Sequence, residues 1–179
     1  GYMFDQTTLE GEPFDRDYAE QRIKWEPIVE VTQVKGDSES LPDTPGDEFS
    51  DFETYQYYLQ AYATEYVPRQ GDYIRPALKL GWEINEAIGV NPYKFGLIGS
   101  TDSHTSLASA EEKNFWGKYS NDSTPEIKDQ DIIGDANNTG WSMSAGGLAG
   151  VWAKENTRDE IYAAFKRKEV YATTGPRIG

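Results

Sequence analysis

Twice within the first 104 residues, an amphipathic helical pattern runs into a short apolar, strand-like segment that ends in a polar rim. That order constrains the fold more than any other feature. A helix feeding a strand is the repeating unit of an α/β architecture, and parallel strands built this way carry their polar ends to one surface. In the first unit Phe14, Tyr18, Gln21 and Trp25 fall at helical spacing and Pro27 stops the helix. The segment Ile28-Val29-Glu30-Val31-Thr32-Gln33-Val34 then shows the alternation and β-branching of a strand. In the second, a helix starting near Asp72 turns Ile74, Ala77, Leu78, Ile84 and Ile88 inward and ends at Gly89, with Pro92 beyond. It leads into the buried-strand run Phe95-Gly96-Leu97-Ile98.

The remaining segments fit one α/β domain over residues 1–179. Ser50-x-x-Glu53 is a capping box opening a helix with Phe52, Tyr55, Leu59 and Tyr62 on one face. Thr157-x-x-Glu160 is a second box, followed by inward Ile161, Ala164 and Phe165 and then a strand at Val170-Tyr171-Ala172. Between them, Ser106 to Ser142 form a long polar insertion with an aromatic island at Phe115 to Tyr119; it reads equally as a lid over a site or as a surface excursion. Within it, Asp129-x-Asp131-x-x-Gly134-Asp135 lacks the spacing and closing Glu of a calcium loop and reads as a solvated acidic turn. Ala145-Gly146-Gly147-Leu148-Ala149-Gly150 lacks a following Gly-Lys-Ser/Thr and reads as close packing under a helix or strand rather than an anion cradle.

Charge narrows the function classes. With 17 Lys+Arg against 31 Asp+Glu, the net charge of -14 repels nucleic-acid phosphates and anionic lipid surfaces and attracts divalent cations. No nucleic-acid or membrane partner is expected. With 5 Trp and 12 Tyr among 179 residues the chain has the apolar mass for a core, and with no Cys it has no disulfide framework. The first residues carry no signal-peptide pattern, and either a cytoplasmic or a periplasmic location suits the composition.

Two stretches carry chemistry. The run Phe95 to Ile98 ends in Gly99-Ser100-Thr101 and delivers Asp102-Ser103-His104, which contains the chain's single histidine. A carboxylate and an imidazole two residues apart at a strand end can point together toward one ion or substrate, as metal ligands or as an acid/base pair; the plain alternative is a polar turn with a surface histidine. The second stretch is the rim Gln33-x-Lys35-Gly36-Asp37-Ser38-Glu39, where Lys35 could grip an oxyanion and Glu39 a cation, or where the strand simply ends in an ordinary turn. A serine-hydrolase triad is disfavoured, since no Gly-x-Ser-x-Gly elbow is present.

Four blocks occur in order: Trp25 to Glu39, Val90 to His104, Gly147-Leu148-Ala149-Gly150-Val151-Trp152-Ala153 and Ala172-Thr173-Thr174-Gly175-Pro176-Arg177-Ile178. Together they resemble the carboxy-terminal half of domain of unknown function family 3604. That family is similar to the polymerase and histidinol phosphatase (PHP) superfamily of metal-dependent hydrolases, related to amidohydrolases, with a distorted β/α barrel. The resemblance implies that Asp102 and His104 bind a divalent metal such as zinc, manganese or iron. It further implies that Lys35 and Arg177 contact a small anionic substrate, that Gln33 and Glu39 position water or substrate, and that the reaction is hydrolysis of a phosphoester or other ester. Such a cluster needs several histidines, and this sequence has one. The chain is therefore expected to be the carboxy-terminal half of a larger catalytic domain, inactive alone and self-associating through uncovered barrel edges. The alternative is a non-catalytic module in which Trp116, Tyr119 and the aspartate-rich loop bind a cation or a carbohydrate.

Overall fold

The computed structural model describes residues 3–33, 36–51, 64–106, 118–119, 126 and 146–173. Along the chain come α1 (Arg16–Trp25), β1 (Ile28–Gln33), β2 (Gly36–Asp37), a 3₁₀ turn (Gln70–Asp72), α2 (Ile74–Ile88), β3 (Gly96–Gly99), β4 (Leu148–Val151), α3 (Arg158–Arg167) and β5 (Val170–Thr173). The mixed α/β class is as expected. Among the described residues the strands form small sheets and no closed barrel.

Strand β1 is central in a three-stranded sheet of order β2-β1-β3. It runs parallel to β3, pairing Ile28 with Gly96, Val29 with Leu97 and Glu30 with Ile98, and the register then shifts so that Thr32 faces Gly99. The shift leaves Val31 as the extra residue of a bulge, and buried Val31 points into the core. Among the described residues, parallel pairing is confined to β1 and β3. Strand β2 returns antiparallel, Gln33 opposite Gly36, because the two intervening residues cannot make the crossover that a parallel neighbour needs. Strands β4 and β5 form their own antiparallel pair, from Leu148 opposite Thr173 to Val151 opposite Val170.

Glycines bring that pair against β3. A Cβ on Gly96 would lie 2.7 Å from Val170 Cγ2, and one on Gly99 would lie 2.5 Å from the Thr173 carbonyl oxygen, so β5 passes β3 in the same direction at backbone distance. Gly147, at φ 154°, is held just as closely, with a Cβ there 2.2 Å from the Thr173 oxygen, and Thr32 Oγ1 donates to the Gly146 carbonyl at 3.0 Å. The glycine-rich stretch is thus packing, and its second half is a strand rather than an element beneath one.

The helices follow their local signals at the ends more closely than on their faces. Asp15 caps α1 by accepting from Tyr18 N at 2.8 Å, so Phe14 lies before the helix and not on it. Trp25, at the end of the helical spacing, is exposed, and Ala19 and the stem of Arg22 take the buried side. The guanidinium of Arg22 lies 5.1 Å from the Tyr93 ring centre and 5.9 Å from that of Phe14, a cation over aromatic faces. Helix α2 starts at Ile74, and two of its first N–H groups, Ile74 and Arg75, donate to the Ser38 and Glu39 carbonyls at 2.7 and 3.0 Å. It buries Ile74, Ala77 and Ile84 and leaves Leu78 outside, and it closes at Gly89 in the left-handed region at φ 76°. In α3 the Thr157 hydroxyl accepts from Glu160 N at 3.3 Å, and Ala164 is fully buried.

Phe4, Phe14, Val31, Ile74, Ala77, Ile84 and Tyr93 form the core, with Val29, Phe95 and Leu97 packed on it. The expected helix over Phe52 to Tyr62 and most of the insertion from Ser106 to Ser142, with the turn at Asp129 to Asp135, lie outside the described residues.

Candidate functional site

Parallel pairing sets the carboxyl ends of β1 and β3 side by side, the edge where open α/β sheets carry their sites. The ladder is carried one step further by Ser100 N, which donates to the Thr32 carbonyl at 3.0 Å, while Ser100 Oγ donates to Glu30 Oε1. Beyond Ser100 the chain must leave the sheet. It does so through Asp102 in the left-handed region at φ 49°, a conformation aspartate tolerates better than most residues, with Ser103 N bonded to Thr101 Oγ1 at 3.2 Å.

That turn brings the Asp-x-His pair together: Asp102 Oδ1 and His104 Nε2 are 3.0 Å apart. Among the described residues a third group joins the cluster. Lys118 Nζ donates to the Asp102 carbonyl at 2.7 Å and to Asp102 Oδ2, and lies 3.2 Å from His104 Nε2. The backbone of the two segments is clipped together by His104 N donating to the Lys118 carbonyl at 2.8 Å, and the Tyr119 ring stands edge-on to the imidazole at 5.2 Å. The side chain of Lys118 is 1% exposed, that of Asp102 22% and that of His104 51%, so the site grades from a buried ammonium to an accessible imidazole. An ammonium removed from water in this way requires an anion at contact distance, and Asp102 supplies it.

One nitrogen faces two demands. A protonated Nε2 donates to the carboxylate, and a deprotonated one accepts from the ammonium; it cannot do both at once. An imidazole nitrogen, a carboxylate and a backbone carbonyl converging on one positive group are also the donor types that hold a divalent cation. The fit to a metal is partial. Asp102 and His104 can provide two ligands, and among the described residues no set of three or more His, Cys, Asp or Glu gathers around one point.

The other expected site residues stand at the end of β1, at the start of α2 or outside the described residues. Gln33, half-buried, ends β1 opposite Gly36. Glu39 Oε1 accepts from Arg75 Nε at 3.1 Å and Nη2 at 2.5 Å, with Asp47 Oδ2 3.5 Å from Arg75 Nη1, so it grips the first turn of α2. Beside it, burial pushes the Asp37 carboxyl above its ordinary range. Lys35, Trp116 and Arg177 lie outside the described residues. Lys118 is the member that sequence reasoning missed. Its one local signal is its place in the aromatic island, where a lysine beside Tyr119 has apolar cover for its stem.

The family profile described as "Protein of unknown function (DUF3604)" matches residues 1–179. No curated protein and no solved structure matches the chain. Matched by that profile from Gly1 to Gly179, the chain belongs to the DUF3604 family.

Proposed function

We propose that this chain is part of a PHP-like metal-dependent hydrolase acting on a phosphoester or other ester, its parallel strands belonging to a distorted β/α barrel and Asp102 and His104 being two of the metal ligands. The observation that carries this reading is the 3.0 Å approach of Asp102 Oδ1 and His104 Nε2 at the carboxyl end of β3. Two ligand atoms each about 2.1 Å from one ion stand roughly 3–3.5 Å apart, so the pair fits a shared cation without rearrangement of the turn.

A bound divalent metal would supply Lewis-acid stabilisation of a substrate oxygen and a water acidified to a pKa of about 7. The protein's own part is positional. Asp102 carries the formal charge that holds the cation, His104 adds a neutral nitrogen donor from the accessible side, and the Tyr119 ring limits how far the imidazole can turn. Lys35 and Arg177 are the residues assigned to an anionic substrate, and Gln33 and Glu39 are assigned to positioning water or substrate.

Equilibrium dialysis against Zn²⁺ or Mn²⁺ followed by elemental analysis tests the reading. The expected result is retained metal that is lost in His104→Ala and Asp102→Asn, accompanied in the complete protein by chelator-sensitive hydrolysis of p-nitrophenyl phosphate. Metal retention unchanged in both variants would remove the assignment, and a metal-free protein would favour the binding-module alternative.

A further inference from the structure

The position between Asp102 and His104 already holds a positive charge. Three acceptors, the Asp102 carbonyl oxygen, Asp102 Oδ2 and His104 Nε2, converge on Lys118 Nζ, at 2.7 Å for the carbonyl and 3.2 Å for the imidazole. The ammonium reaches them from a side chain that is 1% exposed, on a backbone pinned to the site by the 2.8 Å bond from His104 N. A surface lysine swinging across a carboxylate would show neither the burial nor the backbone clip.

Resting on the metal-ligand reading above, we propose that Lys118 is a built-in occupant of the cation position, so that a divalent metal binds only by displacing its ammonium. The ammonium on Asp102 Oδ2 and a divalent ion on Oδ1 cannot both be held, because each needs the single Nε2 lone pair of His104 and their charges repel across one carboxylate. Displacement therefore couples metal loading to movement of residues 118–119. The aromatic neighbour Tyr119, edge-on to His104 and 5.7 Å from Lys118 Nζ at its ring centre, moves with it. Lys118 in this sense sets the threshold that a divalent cation must exceed to bind.

The test measures Mn²⁺ and Zn²⁺ affinity by titration calorimetry for the wild-type chain, Lys118→Met, Lys118→Gln and Lys118→Met combined with Asp102→Asn, each checked for folding by circular dichroism. The expected result is affinity about tenfold or more tighter in the neutral variants, through removal of a like charge, and lost again when Asp102 is replaced. A second arm needs no variant. Acetylation of wild-type Lys118, followed by peptide mass spectrometry, should be slow without metal and accelerate when Mn²⁺ is added, because the displaced ammonium leaves its buried position. Metal binding that depends on His104, with no gain in the neutral variants and Lys118 still protected, would overturn displacement while leaving the ligand assignment intact. Absence of His104-dependent binding in wild type and neutral variants alike would bring down the ligand assignment and the proposal with it.

Discussion

Tyr93 and Lys118 are both buried, and the clusters around them are built on opposite logic. Tyr93, 1% exposed, is surrounded by the rings of Phe4 at 5.7 Å and Phe14 at 6.3 Å, with Arg22 over its face and Arg22 Nη1 donating to its hydroxyl at 3.3 Å, while the hydroxyl donates to the Asp5 carbonyl. Its polar atom sits at the periphery, and the ring contributes contact area and dispersion. At Lys118 the polar atom is the centre, and the burial of its stem serves to deliver a charge. The first arrangement gains stability from nearly every contact. The second holds a charge at a desolvation cost that Asp102 offsets.

Truncation separates the two. Tyr93→Ala should lower stability by about 3–5 kcal/mol, the range for removing a large buried ring, whereas Tyr93→Phe, which keeps the ring, should cost about 1 kcal/mol. Urea denaturation followed by tryptophan fluorescence checks both. Equal losses in the two variants would mean that the hydroxyl pairing, and not the ring, holds that region, and the contrast would dissolve.

At the polar cluster the order of effects should invert the usual expectation that the larger truncation is worse. Asp102→Asn leaves the Lys118 ammonium buried without its carboxylate and should cost about 2–3 kcal/mol, less than a fully buried pair because Asp102 is partly exposed, while Lys118→Met removes the charge and should cost less than that. Thermal melts of the two variants and their combination supply the comparison. Lys118→Met proving the more destabilising would show that Lys118 contributes to stability as an ordinary core residue.

Strand β3 joins the two regions, and its glycines are the next test. Gly99→Ala would set a methyl 2.5 Å from the Thr173 carbonyl, against backbone that cannot turn aside, and should cost about 1–3 kcal/mol by overpacking. Gly150→Ala would meet first the ring of the exposed Tyr171, which can rotate away, and should cost less. Reversal of that order in chemical melts would show that β5 is not held against β3.

The smallest effect concerns pH. Burial raises the Asp37 carboxyl, opposed by the N–H bonds it accepts from Glu39 and Ser40. A raised carboxyl favours the protonated form in the fold, so its contribution is full below its unfolded value of 3.8 and is lost as pH climbs through the higher native value. At pH 7 the ionised group is therefore a net cost. Asp37→Asn, which keeps an acceptor for Glu39 N, should stabilise at pH 7 by less than about 1 kcal/mol, given the group's exposure, and the gain should vanish below pH 3.8. Melting curves at pH 7 and pH 3.5 that show the same gain would remove burial as the cause.

What was legible in the sequence was local. Pro27 and Gly89 mark the chain's departure from helices, Thr157 caps α3 three residues from Glu160, and the β-branched run from Ile28 forms β1, because these signals act between residues one to four apart and need no distant partner. On the face of α2 Ile74, Ala77 and Ile84 are buried as the spacing predicts, while Leu78 is not. The spacing of Phe14, Tyr18, Gln21 and Trp25 does not reveal that Arg22 takes the buried side of α1 by lying over Phe14 and Tyr93, a pairing across 71 residues that no periodicity records.

The sequence by itself determined that an aspartate and the single histidine would follow a buried strand two residues apart, and their 3.0 Å meeting needs little more than the turn they sit in. Tertiary structure decided the rest of the site. Lys118 reaches Asp102 across 16 residues, Glu39 is drawn to Arg75 across 36, and β5 passes Gly99 at backbone distance. The physical reason is one of range: capping, turn formation and strand alternation are settled within a few residues, whereas the partner of a charge depends on which segments the core brings together.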